Sequence, residues 1–156
     1  MRAKLQTASL LLAASTLFVG VSAVQTALPQ APAENAFTDR TASQLLRQLS
    51  ESLQGHSQKQ FLALFELAKM RDGPIFKQQI TSFFSQTESI RVHLNLAETS
   101  AEADNATIAV DAEMEVEPRS GAPASRRNER LTFTAANIGG RWKLIDVQPR
   151  SFFSLP

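Results

Sequence analysis

Four carboxylates stand at every second position of one short segment: Asp111, Glu113, Glu115 and Glu117. Clustered oxygen ligands are what a hard cation such as calcium or magnesium requires. The spacing argues otherwise. Ile108, Val110, Ala112, Met114 and Val116 alternate with the acids, so Thr107 to Glu117 reads as a two-faced strand whose same-face residues stand about 7 Å apart. A ladder that wide holds one ion only with ligands from elsewhere. Arg119, Arg126, Arg127 and Arg130 follow on the neighbouring loop and strand, and a solvated ladder of cross-strand ion pairs is the expected arrangement. Read alone, the arginines would form a basic patch for an anionic partner; the adjacent glutamates weaken that reading.

Asp146 is the one position that this ladder reading does not dismiss. Trp142 and Leu144 set an alternation that carries Asp146 onto their face, toward the core, where a carboxylate could be a raised-pKa base or a ligand anchor. A bulge at the adjacent apolar pair Leu144 and Ile145, or a strand buried on both faces, removes the conflict. If Ile145 and Val147 then face outward, they form an apolar spot suited to a dimer contact. The two histidines, His56 at a helix junction and His93 on an outer strand face, have no metal-site spacing, and zinc needs at least three protein ligands. No metal and no cofactor is expected. Asn105-Ala106-Thr107 matches a glycosylation sequon, which a turn entering the strand also explains.

The elements that position these residues change period along the chain. Three helices are predicted first. Thr41 with Gln44 forms a capping box before the stripe Leu45, Leu46, Leu49 and Leu53, ended by Gly55. Ser57 with Gln60 repeats the pattern before Phe61, Leu62, Leu64, Phe65, Leu67 and Ala68. Asp72-Gly73-Pro74 stops that helix and starts the next, with aspartate satisfying the free amides; its stripe is Ile75, Phe76, Ile80, Phe83 and Phe84. After Thr87 the period falls to two, the signature of sheet. Strands are predicted near Ile90–Leu96, Thr107–Glu117, Arg130–Ala136 and Arg141–Val147. The connections are a polar loop at residues 98–106, a Pro, Gly and Arg-rich loop at 118–128, and a tight turn at Gly139-Gly140. Helices with one apolar stripe and a sheet with one apolar face solve each other's exposure by packing together. The fold class is α+β: three N-terminal helices on a curved antiparallel sheet of about four strands, a cone-like roll.

Helices first, then long antiparallel strands, and the ending Gly139-Gly140-Arg141-Trp142-Lys143-Leu144-Ile145-Asp146-Val147 together resemble the nuclear-transport-factor-2-like superfamily, also called cystatin-like or SnoaL-like, over roughly residues 38–154. The resemblance implies a sheet wrapped round a long helix, an interior that is often a pocket, and dimers through the sheet. Its enzymatic branch, similar to ketosteroid isomerase, would need a carboxylate base and an oxyanion donor, often tyrosine, inside the cone. The chain has no tyrosine. Only Asp146 could serve such an isomerase, cyclase or dehydratase. The other implied use is a non-catalytic binding or accessory domain holding a hydrophobic small molecule, with Trp142, Phe133, Met114, Phe65 and Phe83 as lining. Those same side chains could simply fill the core.

Composition bounds the setting. Met1-Arg2-Ala3-Lys4, an uncharged run densest in apolar residues between Leu10 and Val21, and Val21-Ser22-Ala23 are the three parts of a cleavable signal peptide, residues 1–23. The apolar stretch falls short of the roughly 18 residues a membrane anchor needs. The protein is expected to be exported, periplasmic or secreted, with no membrane span after cleavage. An Ala, Pro and Gln-rich leader, 24–37, precedes the folded domain, 38–156. There is no cysteine, so packing alone must hold it. Without Arg2 and Lys4, 14 basic residues face 15 acidic ones, which removes the positive excess on which nucleic-acid binding depends. N-terminal sequencing of the exported protein is expected to begin at Val24; a chain beginning at Met1 would overturn the signal-peptide reading.

Overall fold

A computed structural model of the protein describes residues 36–155. The expected signal peptide and all but the last two residues of the leader lie outside them. In order come α1 (Asp39–Gln54), α2 (Gln58–Ala63), α3 (Gly73–Gln86), β1 (Thr87–Glu102), β2 (Asn105–Pro118), β3 (Ser125–Ile138), β4 (Arg141–Gln148) and a 3-10 turn, Arg150–Phe153. The strands form one antiparallel sheet in sequence order, curved and unclosed. The α+β expectation holds.

Local chemistry sets the helix ends, though not always by the expected residue. The α1 cap is Thr38 rather than Thr41: its hydroxyl accepts from the Thr41 amide at 3.3 Å, and Asp39 adds a negative charge to the first turn. Gly55 closes the helix as expected, because a Cβ there would meet the Glu51 carbonyl at 2.9 Å. The second helix stops at Ala63 instead of Ala68. The Leu64 carbonyl accepts from the Leu144 amide at 2.9 Å and the Glu66 amide donates to the Leu144 carbonyl at 2.8 Å, so this segment caps the outer edge of β4 as a parallel bridge. Asp72 does not cap α3 with its side chain; it takes a left-handed backbone, φ 56°, before Gly73 and Pro74. Ile75, expected in the stripe, is 65% exposed.

The sheet is longer than its apolar pattern. Residues 98–102 and 105–106 are strand, not loop, joined by a two-residue turn at Ala103 and Asp104. Ladder hydrogen bonds continue where apolar alternation ends, because this end of the ribbon is mostly exposed and needs no apolar face. Likewise β3 begins at Ser125, which shortens the expected 118–128 loop. Gly139 and Gly140, with φ 57° and 81°, form the tight β3–β4 turn.

The helices cover the inner face. Ile108, Val110, Met114 and Val116 of β2, Leu131, Phe133 and Ala135 of β3, and Leu144 and Val147 of β4 have no accessible surface. They join Leu49, Leu53, Phe61, Phe76, Ile80 and Phe83 in one cluster. Phe152 and Phe153 of the C-terminal turn, which no periodicity flagged, are buried in it as well. No helix among the described residues is long and apolar enough to cross a membrane.

Among the described glycines, Gly73 has the least room for a side chain. A Cβ there would lie 2.1 Å from the Leu67 carbonyl oxygen. Gly73→Ala is therefore expected to cost about 1–3 kcal/mol, the range of overpacked sites, in urea unfolding. A change below about 0.5 kcal/mol, the level of an ordinary surface substitution, would mean that the Leu67 backbone gives way.

Candidate functional site

The register of β3 against β4 resolves the phase of Asp146. Phe133 pairs with Val147 and Thr134 with Asp146, but Ala135 pairs with Leu144, so Ile145 is the extra residue of a bulge. The bulge inverts the alternation. Val147 turns into the core, and Asp146 stands opposite Thr134 in the outward phase. The bulge is one of the two arrangements favoured from the sequence, and the apolar spot that Ile145 and Val147 would make if both faced outward does not form: Val147 has no accessible surface and Ile145 is partly buried.

Asp146 is also occupied. Arg150 donates to its Oδ1 at 2.9 Å and Gln148 to its Oδ2 at 3.2 Å. The same guanidinium donates to the Arg71 carbonyl at 2.8 Å and lies 5.8 Å from the centre of the Phe76 ring. Burial alone would raise the carboxyl, but the bonds from Arg150, Gln148 and the Val147 backbone, with the Arg150 charge, hold it below its ordinary value. That is the opposite of a raised-pKa base. The arrangement ties the end of β4 to the loop before α3.

The five apolar candidates separate. Phe133 and Met114 have no accessible surface, Phe83 has 1% and Phe65 5%. A side chain without accessible surface borders no space that a water molecule can enter, so at these positions the interior is filled. Trp142 stands apart, partly buried, with Phe37 edge-on at 4.8 Å. It lines a groove of about 330 Å³ between α1 and the start of β4, with Gln44, Leu45, Gln48, Leu64 and Arg141. The groove combines an aromatic wall, side-chain amides and two cationic residues, Arg141 and Lys143.

The outer sheet face carries a ladder of cross-strand pairs, but among the described residues only Arg126 of the four arginines expected in it takes part: Arg119 pairs with Glu88 at 3.4 Å, and Arg127 falls in the inward phase of Leu131. Glu115 pairs with Arg91 at 2.6 Å and Arg126 at 3.8 Å, Arg126 reaches Glu113 at 3.0 Å, and Ser89 donates to Glu117 at 2.9 Å. Beside it lies a shallow groove of about 380 Å³ lined by Asn95, Asp111, Glu113, Asn128 and Arg130. His93 is opposite Glu113 on this exposed face. His56, at the α1–α2 junction with φ 50°, shares a 2.8 Å hydrogen bond with the Phe84 carbonyl through Nε2. Among the described residues no group of three or more histidines and carboxylates is arranged to hold a metal.

Because the carboxyl is lowered in the folded state, its stabilisation is present above the ordinary aspartate range and disappears as pH falls through the lowered value. Asp146→Asn is expected to cost about 0.5–1 kcal/mol near neutral pH, a range set by the partial exposure of the pair. The loss should shrink toward zero in acid. Thermal melts of both proteins across the acid range check this, and a pH-independent difference would overturn the assignment.

No family model matches the sequence, and no curated protein sequence matches it. Solved structures do match. A nuclear-transport-factor-2-like superfamily protein from Salmonella enterica superposes with a TM-score of 0.62 at 11% identity, covering 69% of this chain and 86% of the other. A candidate scytalone dehydratase from Novosphingobium aromaticivorans gives 0.63 at 12% identity, over 70% and 80%. A candidate calcium/calmodulin-dependent protein kinase II association domain from Xanthomonas campestris gives 0.59 at 14%, over 75% and 89%. At such identities the likeness is one of fold. The described domain has the nuclear-transport-factor-2-like fold that the helix order and the Gly139–Val147 ending imply.

Proposed function

We propose that the chain is an exported, non-catalytic binding or accessory domain. The observation that carries this reading is the filled interior: Met114, Phe133, Phe61 and Phe153, spread along the space between the sheet and the helices, belong to one core cluster, and none exposes more than 1% of its surface. Chemistry on a bound substrate needs a concave site with a positioned acid or base. The only acid singled out for that role, Asp146, is held by Arg150 and Gln148 on the other side of the sheet's phase. Among similar solved structures, three carry an enzyme's name and another an association domain's; at identities of 12–18% these names describe proteins that share the fold and decide neither reading. Export rests on the basic start, apolar run and small-residue site of residues 1–23. A homodimer through the sheet would join two charged ladders rather than two apolar patches.

Native mass spectrometry of the protein, exported by its own N-terminal segment and purified without detergent, tests the reading. The expected result is the bare mass of the chain or of a simple oligomer. A small-molecule excess that disappears on denaturation, bound while residues 151–154 keep their place, would reveal a cavity elsewhere and overturn the filled interior.

A further inference from the structure

One stretch of the inner sheet face is polar. The inward positions of β3 before Leu131 are Ser125, Arg127 and Glu129, paired with Val116, Met114 and Ala112 of β2. A domain rarely turns charge inward unless it has a partner there. Arg127 finds only neutral ones: its Nη1 donates to the carbonyls of Ser151 at 3.3 Å, Phe152 at 3.1 Å and Ser154 at 2.7 Å. Among the described residues no carboxylate lies within ion-pair distance of it. Burial lowers the Arg127 pKa, opposed by the Glu129 charge. The Glu129 Oε2 and Ser125 Oγ are buried without a hydrogen-bond partner. From the opposite wall, Gln79 of α3 donates to the Arg150 carbonyl at 2.7 Å and Ser154 Oγ at 3.0 Å.

The C-terminal segment is thus gripped by polar groups on two sides, while its rings fill the apolar space between them. Phe152 and Phe153 are 0% and 1% exposed, and Phe153 lies 5.4 Å from the Phe61 ring. A seam of about 220 Å³ already opens between α3 and the segment, lined by Gln79, Phe83 and Phe153 among others. With the two rings withdrawn, the space would reach the usual size of ligand pockets, about 300–1,000 Å³.

We propose that the segment 151–155 occupies a binding site of this protein, a built-in plug that an amphiphilic monoanion, with an apolar body and a carboxylate or sulfonate head, displaces while Arg150 stays anchored to Asp146. The rings stand where the body lies, and the carbonyls stand where the head meets Arg127. A guanidinium binds an anionic oxygen about twice as strongly as a neutral one, which supplies the driving force. Glu129, at the next inward position, tempers the positive field, so a single negative charge suits the site better than two. The proposal rests on the binding-domain reading above and names its ligand class.

The test is hydrogen–deuterium exchange on the full chain, with and without anilinonaphthalene sulfonate, an aromatic monoanion. Amides of residues 151–154 are expected to exchange at least about tenfold faster than those of β2, by local opening. The probe should bind saturably, speed that exchange further and leave β2 protected. Phe152→Ala, which empties part of the site, should bind the probe about tenfold tighter while keeping a cooperative melt, and adding Arg127→Gln should cancel the gain. Exchange of 151–154 only together with β2, with no probe binding, overturns the proposal and leaves the non-catalytic reading standing. Binding indifferent to Arg127→Gln also overturns it, because the site would then be a cavity without an anion partner. If Phe152→Ala does not fold, the exchange of the unaltered chain decides alone.

Discussion

The register of β2 is the constraint on which the rest of the domain depends. It is bonded on both sides, to β1 and to β3, and its side chains divide into a row without accessible surface and a row of carboxylates. A slip of one residue would exchange the rows and bury four acids. The cost of burying even one unpaired charge exceeds the margin by which proteins are stable. Both neighbouring strands take their phase from this one. The apolar row gives the helices a surface to cover, and the acidic row gives Arg91 and Arg126 their partners.

Much of this was legible in the sequence because β2 alternates without a break. The helical stripes, the Gly139-Gly140 turn and the outer ion pairs follow from the same periodicities. What the residues concealed falls into two kinds. Leu144 and Ile145 present two apolar side chains in a row, and the sequence alone leaves open whether a bulge or two-sided burial accommodates them; pairing with β3 decides for the bulge. Other features depend on contacts across the chain. The helix expected through Ala68 stops at Ala63 because β4 claims the Leu64 and Glu66 backbone, and Phe152 and Phe153 become core only because Arg127 and Gln79 hold the segment between them. The residues between Glu98 and Ala106 misled for a related reason: a ladder needs backbone, not apolar side chains, to continue.

Of the side chains that could do chemistry, those with the clearest sequence signal are engaged by neighbours in the fold. Glu113 and Glu115 of the acidic ladder are paired with arginines, and Asp146 anchors a loop. The inward polar row Ser125, Arg127 and Glu129 has no motif and sits where the sequence reads as loop and strand start. Alternation counted backwards from Leu131 would have revealed it, since Arg127 and Glu129 share the phase of Leu131 and Phe133. Charge in an apolar phase is the more informative signal, and here it lies outside the conspicuous cluster.

The bridge between Phe65 and Leu144 also bears on how the chain acquires its shape. The hairpins β1–β2, β2–β3 and β3–β4 join neighbours in sequence, so each can close over a short loop. Sealing the β4 edge instead requires a segment from before α3 to meet one near the C-terminus, a closure whose entropy must be spent before its contacts return anything. Until then β4 presents unpaired amides and carbonyls, the template on which chains misassociate. For a chain that emerges N-terminus first, the backbone of Leu64 and Glu66 is made long before its partner Leu144 exists, so the β4 edge cannot be closed until the sheet's final strand has been added.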